Sequence, residues 1–381
     1  MIAVFLGTAY VALLLGKAAL AVRAARRSPQ PALGNAIDFS DVVVAQPILS
    51  GDPRLSETLE DNVLALPSAH FIWLVDSDDP EAQAICATLS ARHPAVRIDT
   101  LVSPPPPDGC NPKLLKLEGA RSILGDRTLV VLDDDTRLPA ASLSAILTGL
   151  EGSEVSTGLP AYIDDDSWPA RLLAQFVNNN AALTYLPLLN FSPPPTINGM
   201  TYAIRGRTLE RLGGFAPLIG HLTDDLAVAR VVLASGGRIS QTALPQWVQT
   251  TVPDGSRYIR LMHRWFLFAR LLLQHQPRHL QVVIAFLYAV PPILLWAVII
   301  ATVAQSSGVA LATLAIVLVV RSLTLVALQR RIYGRSLHRP ILSLASELLQ
   351  PFHLVHAALV RTIVWRTRRY VVTDIDSFRS A

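Results

Sequence analysis

The sequence predicts an α/β fold, a largely parallel sheet wound with helices, set between apolar segments that lie in lipid. Three observations predict it. Short apolar strands alternate with helical stretches from Asp41 to Leu132, the rhythm of right-handed βαβ crossovers. Two of those strands run straight into clustered carboxylates, Asp76, Asp78 and Asp79 after one and Asp133, Asp134 and Asp135 after the other. The 381 residues are 51% hydrophobic and only 16% charged, with a mean hydropathy of +0.39, unlike an ordinary soluble protein.

Taken in order, Ile2 to Val22 is almost wholly apolar and long enough to cross a bilayer core, with Lys17 close enough to one end to snorkel. Residues 1–23 therefore read as an amino-terminal transmembrane helix. A cleaved signal peptide is the weaker reading, because Arg23, Arg26 and Arg27 follow the apolar run instead of preceding it. Those arginines predict a cytoplasmic domain next, over residues 38–275. In it, strands are expected at Asp41–Ala45, Phe71–Val75, Val96–Leu101 and Thr128–Leu132, and helices at Ser56–Leu66, Glu81–Arg92 and Leu114–Leu124. Pro104 to Pro107 is a stiff loop. Ala170 to Leu189 is amphipathic with a proline break and precedes Pro193 to Pro195. It reads either as an interfacial segment that admits a lipid head group or as ordinary core packing.

A transmembrane hairpin is expected over residues 282–329: Val282–Ala304, interrupted by Pro291 and Pro292, then Val309–Leu328. Arg270 and Arg278 precede it and Arg330, Arg331, Arg335 and Arg339 follow, so both ends point to the cytoplasm. Residues 340–364 are apolar yet carry Glu347, Pro351, His353 and His356, and read as re-entrant or interfacial helices broken near Pro351. Residues 365–381 then form a cytoplasmic tail, giving three spans in a multi-pass membrane protein. The net charge of +4 and pI near 9.3 do not point to nucleic acid, since the arginines concentrate beside apolar segments and mark contact with the bilayer. Cys86 and Cys110 form no CxxC pair, which argues against a disulfide or zinc site.

The chemistry gathers at the acidic strand ends. Asp is poor in a sheet and good in the loop beyond it, so these carboxylates belong at the carboxyl edge, where open α/β sheets bind ligands. Hard oxygens suit Mg²⁺ or Mn²⁺, which complete their shells with water and phosphate oxygens. The implied ligand is a diphosphate, and two acidic strand ends suggest that one carboxylate reads a base while another carries the metal. Read alone, the triple aspartate is equally an Asp-rich turn that caps the next helix. Lys113, one of three lysines in the chain, follows Asn111 and Pro112 and could meet a phosphate or the base, or simply be a solvated helix-start lysine. Asp224 and Asp225 stand at a helix start, where capping explains them and a general-base role is compatible with it.

These residues, in this order and spacing, resemble the ceramide glucosyltransferases and their bacterial relatives, membrane-bound glycosyltransferases with a Rossmann-like GT-A nucleotide-sugar domain. The resemblance runs from about Asp41 to Tyr370 through VDSDDP at 75–80, NPK at 111–113, LDDDT at 132–136, GLP at 158–160, NGMTYAIR at 198–205, DD at 224–225, HRW at 263–265 and WRTRRY at 365–370. It implies that Asp76 contacts the uracil, with Asp78 and Lys113 beside the donor. It implies that Asp133 and Asp135 surround the metal and diphosphate, and that Asp225 is the base with Asp224 its acidic neighbour. Arg264 and Trp265 resemble the end of the Q/RxxRW motif that closes over donor and acceptor. Leu261 stands where that motif has Gln or Arg, and Arg260, the nearest arginine, is turned by about 100° on a helix unless a local bulge restores it.

The activity implied is an inverting, metal-dependent hexosyl transfer from a UDP-sugar to a membrane lipid hydroxyl, with glucose and a ceramide-type acceptor favoured. N-acetylglucosamine or another hexose, and a hopanoid-pathway, diacylglycerol or polyisoprenoid acceptor, remain the alternatives. From another class, the chain could be a non-catalytic UDP-sugar-binding membrane protein. A bacterial inner membrane, with the catalytic domain facing the cytoplasm, is the expected location.

Overall fold

The computed structural model describes residues 1–32, 38–163, 165–365, 368–374 and 377–380. The chain divides into two compact units. One, an α/β unit, comprises Ser28–Ile163, Pro193–Thr251 and Val364–Ala381; the other, a helical unit, comprises Met1–Arg27, Asp164–Ser192 and Val252–Ile363.

The α/β unit is built on strands β1 (Val42–Pro47), β2 (His70–Asp76), β3 (Ile98–Ser103), β4 (Thr128–Leu132), β5 (Thr136–Arg137), β6 (Val155–Tyr162), β7 (Thr201–Arg205) and β8 (Ile239–Val248). They lie in the order β3-β2-β1-β4-β7-β6-β8-β5. The pairs from β3 to β4 are parallel, as is β6 with β8, while β7 runs antiparallel to both its neighbours and β5 antiparallel to β8. Both faces are covered, which is why the parallel strands read as continuous apolar runs instead of alternating ones. The two-residue period still sorts them. Val42, Val44, Phe71, Trp73 and Val75 enter one core with the helices Leu55–Ala65 and Pro80–Arg92. Val43, Ala45, Ile72 and Leu74 enter the other with Leu114, Leu117 and Val228.

Strand order places the site. The chain adds β2 and then β3 on one side of β1, and crosses back to place β4 on the other. That reversal opens a crevice beyond the carboxyl ends of β1 and β4, where doubly wound sheets hold ligands. The single helix expected over Leu114–Leu124 is two, Pro112–Gly119 and Arg121–Leu124, because Gly119 weakens the helix at the joint.

In the helical unit, Ile2–Arg27 and Gly308–Tyr333 are each long and apolar enough to cross a membrane. Arg278–Tyr288 and Val290–Gln305 meet at a 42° bend, and count as a third candidate if the pair is one span. The bend comes just before Pro291 and Pro292, the pair that interrupts the apolar run. Trp168–Leu188 is not an amphipathic surface helix: its residues are buried almost all round, including Gln175, Asn178 and Asn179. Its amides are used inside the unit, where Gln175 Nε2 donates to Leu337 O and Asn179 Nδ2 to Ser343 Oγ. The core-packing reading of this segment is therefore the correct one.

The break expected near Pro351 is absent. One helix runs from Pro340 to Leu359 straight through it. A proline removes one hydrogen bond of the ladder, and packed neighbours tolerate that within a bundle. Here Arg321 Nε holds the Glu347 carboxylate at 2.7 Å and Trp296 Nε1 donates to Leu348 O at 2.9 Å on the turn before it. Beyond this helix the described residues form a three-stranded sheet of Thr362–Trp365, Arg368–Asp374 and Ser377–Ser380, with Arg368–Asp374 central. Arg366 and Thr367 of the WRTRRY motif lie outside the described residues.

Candidate active site

The acidic strand ends converge as their positions in the sheet require. β4 stops at Leu132, and the next backbone N–H, that of Asp133, donates to Met200 O just ahead of β7. The segment 198–200 is thereby fixed at the same edge. Three consecutive aspartates then point three ways. Asp133 Oδ1 takes the Lys113 ammonium at 2.7 Å. Asp134 Oδ2 accepts the N–H of Leu49, beyond the end of β1. Asp135 Oδ2 accepts the Thr250 hydroxyl and its Oδ1 the Thr136 hydroxyl, while its carbonyl accepts the N–H of Gln249.

Lys113 is no solvated helix-start lysine. Its ammonium also meets Asp224 Oδ2 at 2.8 Å and donates to Gly199 O at 2.6 Å. Asn111 holds it there by capping Pro112–Gly119: its Oδ1 accepts the N–H groups of Lys113 and Leu114, and its Nδ2 donates to His221 O and Leu222 O. The cap thus ties the lysine helix to the segment that leads into Asp224 and Asp225. The two carboxylates around Lys113 hold it protonated against its desolvation, raising its pKa well above the usual value.

Asp224 and Asp225 are the first two residues of the helix Asp224–Ala234, as the sequence predicted for a helix start. Asp225 Oδ1 accepts the N–H of Leu226 at 2.8 Å. Burial raises its pKa, the charge of Asp224 raises it further, and the Leu226 N–H and Lys113 only partly offset them. Gly199 packs against this carboxylate. A Cβ there would lie 3.2 Å from Asp225 Cβ and 3.3 Å from its Cγ, closer than side chains ordinarily approach.

At the end of β2, Asp76 is buried and pairs with Lys116 Nζ at 2.9 Å, and Lys116 also donates to Ile48 O. Asp79 caps the helix Pro80–Arg92 through Ala82 N and accepts from Ser50 N, whereas Asp78 is exposed. Sequence reasoning missed Lys116. Its signal was present: it is one of three lysines in the chain and stands one helical turn after Lys113 on the same face. It also missed Thr250, which reaches Asp135 from the far end of β8 and carries no local signature.

The remaining candidates stand in the helical unit, on Gly255–Gln274. This helix is continuous, so no bulge re-aims Arg260, which is exposed and donates to Ser256 Oγ, one turn back. Leu261 is buried on the apolar face beside Tyr258 and Met262. Trp265 stacks on Phe176 with ring centroids 6.4 Å apart.

The donor set suits a hard divalent cation. Among the described residues no group of three or more acidic, histidine or cysteine side chains is arranged to hold a metal. Mg²⁺ and Mn²⁺ bound with phosphates need only one or two carboxylates. Asp133 and Asp135 are the carboxylates at this edge that could hold such an ion. Burial pushes the Asp133 carboxyl up to about 6; Lys113 opposes this, and Asp135 and Asp224 add to it. The pocket is thus short of positive charge even with Lys113 in place.

An α/β sheet with acidic residues gathered at its switch point defines the class of enzyme that handles a nucleotide-linked substrate. The chain belongs to glycosyl transferase family 21, whose model matches residues 1–377. It transfers a sugar from a nucleotide sugar. No curated protein matches the chain. Among solved structures, the mannosyltransferase PcManGT from Pyrobaculum calidifontis, in complex with GDP-Man and Mn²⁺, is similar at 19% identity and a TM-score of 0.49, covering 94% of this chain and 98% of its own.

Proposed function

We propose that the protein is an inverting, UDP-sugar-dependent hexosyltransferase that glycosylates a hydroxyl of a membrane lipid, with glucose and a ceramide-type acceptor favoured. The observation that carries this reading is Asp225: a half-buried carboxylate of raised basicity, backed by Asp224 and spaced by a glycine. A group in that state takes a proton near neutral pH, as deprotonation of an attacking hydroxyl requires.

Asp225 removes the acceptor proton as the hydroxyl attacks the anomeric carbon from the face opposite the leaving diphosphate. Burial and the charge of Asp224, which pairs with Lys113 at 2.8 Å, keep Asp225 basic. Asp76 reads the uracil, its Oδ2 fixed by Lys116 and its Oδ1 left for the base. Asp135 and Asp133 would hold Mg²⁺ or Mn²⁺, which supplies positive charge to the departing diphosphate. Lys113 adds a fixed positive charge in the same pocket. The candidate spans and their basic flanks support an integral, multi-pass protein whose α/β unit faces the cytoplasm.

The test is release of UDP by the purified protein in detergent with Mn²⁺ or Mg²⁺, from a panel of UDP-sugars against extracted membrane lipids, with mass spectrometry of the lipid product. Hexosylated ceramide establishes the full proposal. A hexosamine or another glycolipid keeps the mechanism and moves the specificity, while silence across the panel, with UDP-sugar binding intact, overturns catalysis.

A further inference from the structure

The acidic crevice contains a buried polar group that neither its resting contacts nor the chemistry proposed above uses, the hydroxyl of Tyr202. Tyr202 is the second residue of β7, inside the NGMTYAIR motif, and pairs with Val131 of β4 on one side and Thr157 of β6 on the other. Its side chain is 0% exposed. It enters the core that also takes Leu114 and Leu117 from the helix of Lys113, and Ala227 and Val228 from the helix that Asp224 begins. Its Oη has no hydrogen-bond partner. A phenol both donates and accepts, so leaving it unpaired in a dry core is unfavourable unless another state of the site uses it.

The surroundings say which way it would bond. Burial and the charge of Asp224 hold the phenol protonated, Lys113 opposes them, and Asp133 and Asp225 add to them. It is an unused donor among anions. Lys113 shows what state would call on it. An ammonium makes three hydrogen bonds, and Lys113 makes three, to Asp133 Oδ1, Asp224 Oδ2 and Gly199 O. No N–H is left for a phosphate oxygen. A diphosphate entering the crevice can take one only by displacing a resident partner, and Asp224 is the partner whose charge bears most strongly on the unused donor.

We propose that Tyr202 is a positioning residue for the donor: its hydroxyl donates to the Asp224 carboxylate when Lys113 turns an N–H from Asp224 to the diphosphate of the bound nucleotide. The exchange keeps Asp224 ionised and hydrogen-bonded beside Asp225 while positive charge reaches the phosphate. It rests on the nucleotide-sugar reading of the crevice, and it is tested on UDP binding, so that no sugar need be transferred.

The purified full-length protein and its Tyr202→Phe variant are titrated calorimetrically with UDP in the presence of Mn²⁺, and melted with and without UDP. Tyr202→Phe should weaken UDP binding about tenfold, the size expected of one hydrogen bond to a charged group. The KM for the sugar donor should rise by the same factor with kcat unchanged. Without UDP the variant should melt no lower than the unaltered protein, because the lost hydroxyl bonds nothing at rest. In an Asp224→Asn background the same change should alter UDP affinity by less than about twofold, since no stranded anion remains. Equal affinity of Tyr202→Phe and the unaltered protein for UDP overturns the exchange and leaves sugar transfer standing. A variant that melts lower without UDP, or fails to fold, shows that the hydroxyl serves the resting fold and overturns the exchange too. An unaltered protein that binds no UDP overturns the nucleotide-sugar reading, and the exchange with it.

Discussion

Each unit buries a cation between oxygen ligands, and the two clusters are balanced differently. In the helical unit, Arg321 is 1% exposed and faces one carboxylate, Glu347, whose oxygens are taken by Arg321 and by the Tyr10 hydroxyl. In the α/β unit, Lys113 faces Asp133 and Asp224, with Asp135 and Asp225 adding negative charge around them. The first cluster is closed on itself and joins helices. The second carries surplus negative charge, with two carboxyls held above their ordinary pKa range, and that surplus is what a cationic or proton-donating reactant relieves. Charge balance, more than burial, separates a fastening from a site.

The largest effect should come from removing the base. Asp225→Asn should keep the fold and lower kcat by about 10²- to 10⁴-fold, the usual contribution of general-base catalysis. Near-normal turnover would remove Asp225 from the mechanism. Next, the two cations should part company. Arg321→Met strands Glu347 and should cost about 3–5 kcal/mol of stability, with the double change Arg321→Met and Glu347→Leu recovering most of it. Thermal unfolding in detergent reads this, and the folded fraction should keep its kcat. Lys113→Met should instead lower kcat in a protein that still folds. If the Arg321 variant lost turnover with its fold intact, the contrast between the clusters would fail.

The smallest effect is a shift in pH profile. Asp225 works deprotonated, so the rate should rise with pH through a pKa above the ordinary carboxylate range. The charged groups facing it are Asp224, Lys113 and Asp133. Asp224→Asn removes one negative neighbour and frees Lys113, and both changes favour the ionised carboxylate. The midpoint of kcat/KM against pH should therefore move lower in that variant, and an unchanged or higher midpoint would show that another group titrates.

Much of this was legible in the chain. Thr128–Leu132 was readable as a strand to the residue, because an apolar run meeting three aspartates has only one place to end. Asp224 and Asp225 were readable at a helix start because carboxylates suit free N–H groups. What each carboxylate does was not readable, because the partners that distinguish Asp133, Asp134 and Asp135 come from distant parts of the chain: Lys113, the backbone of Leu49, and Thr250. Lys116 was missed because its partner, Asp76, is brought to it only by β2. The break expected at Pro351 was misjudged, and the choice between interface and core for Ala170–Leu189 was left open, for one shared reason: local pattern does not tell water or lipid from protein on one side, and both lie against protein.

The triple aspartate also sets how the gene for such an enzyme can change. A two-residue strand, Thr136–Arg137, pairs with Val248 and Trp247 and locks the loop in register. Three residues of one type therefore hold three posts that cannot be exchanged. Deleting any one of them would leave an acidic pair in the sequence, and a motif search would still find it. The survivors would occupy the wrong posts, so in this loop an intact acidic motif is no guarantee of an intact enzyme, and chain length must be read together with composition.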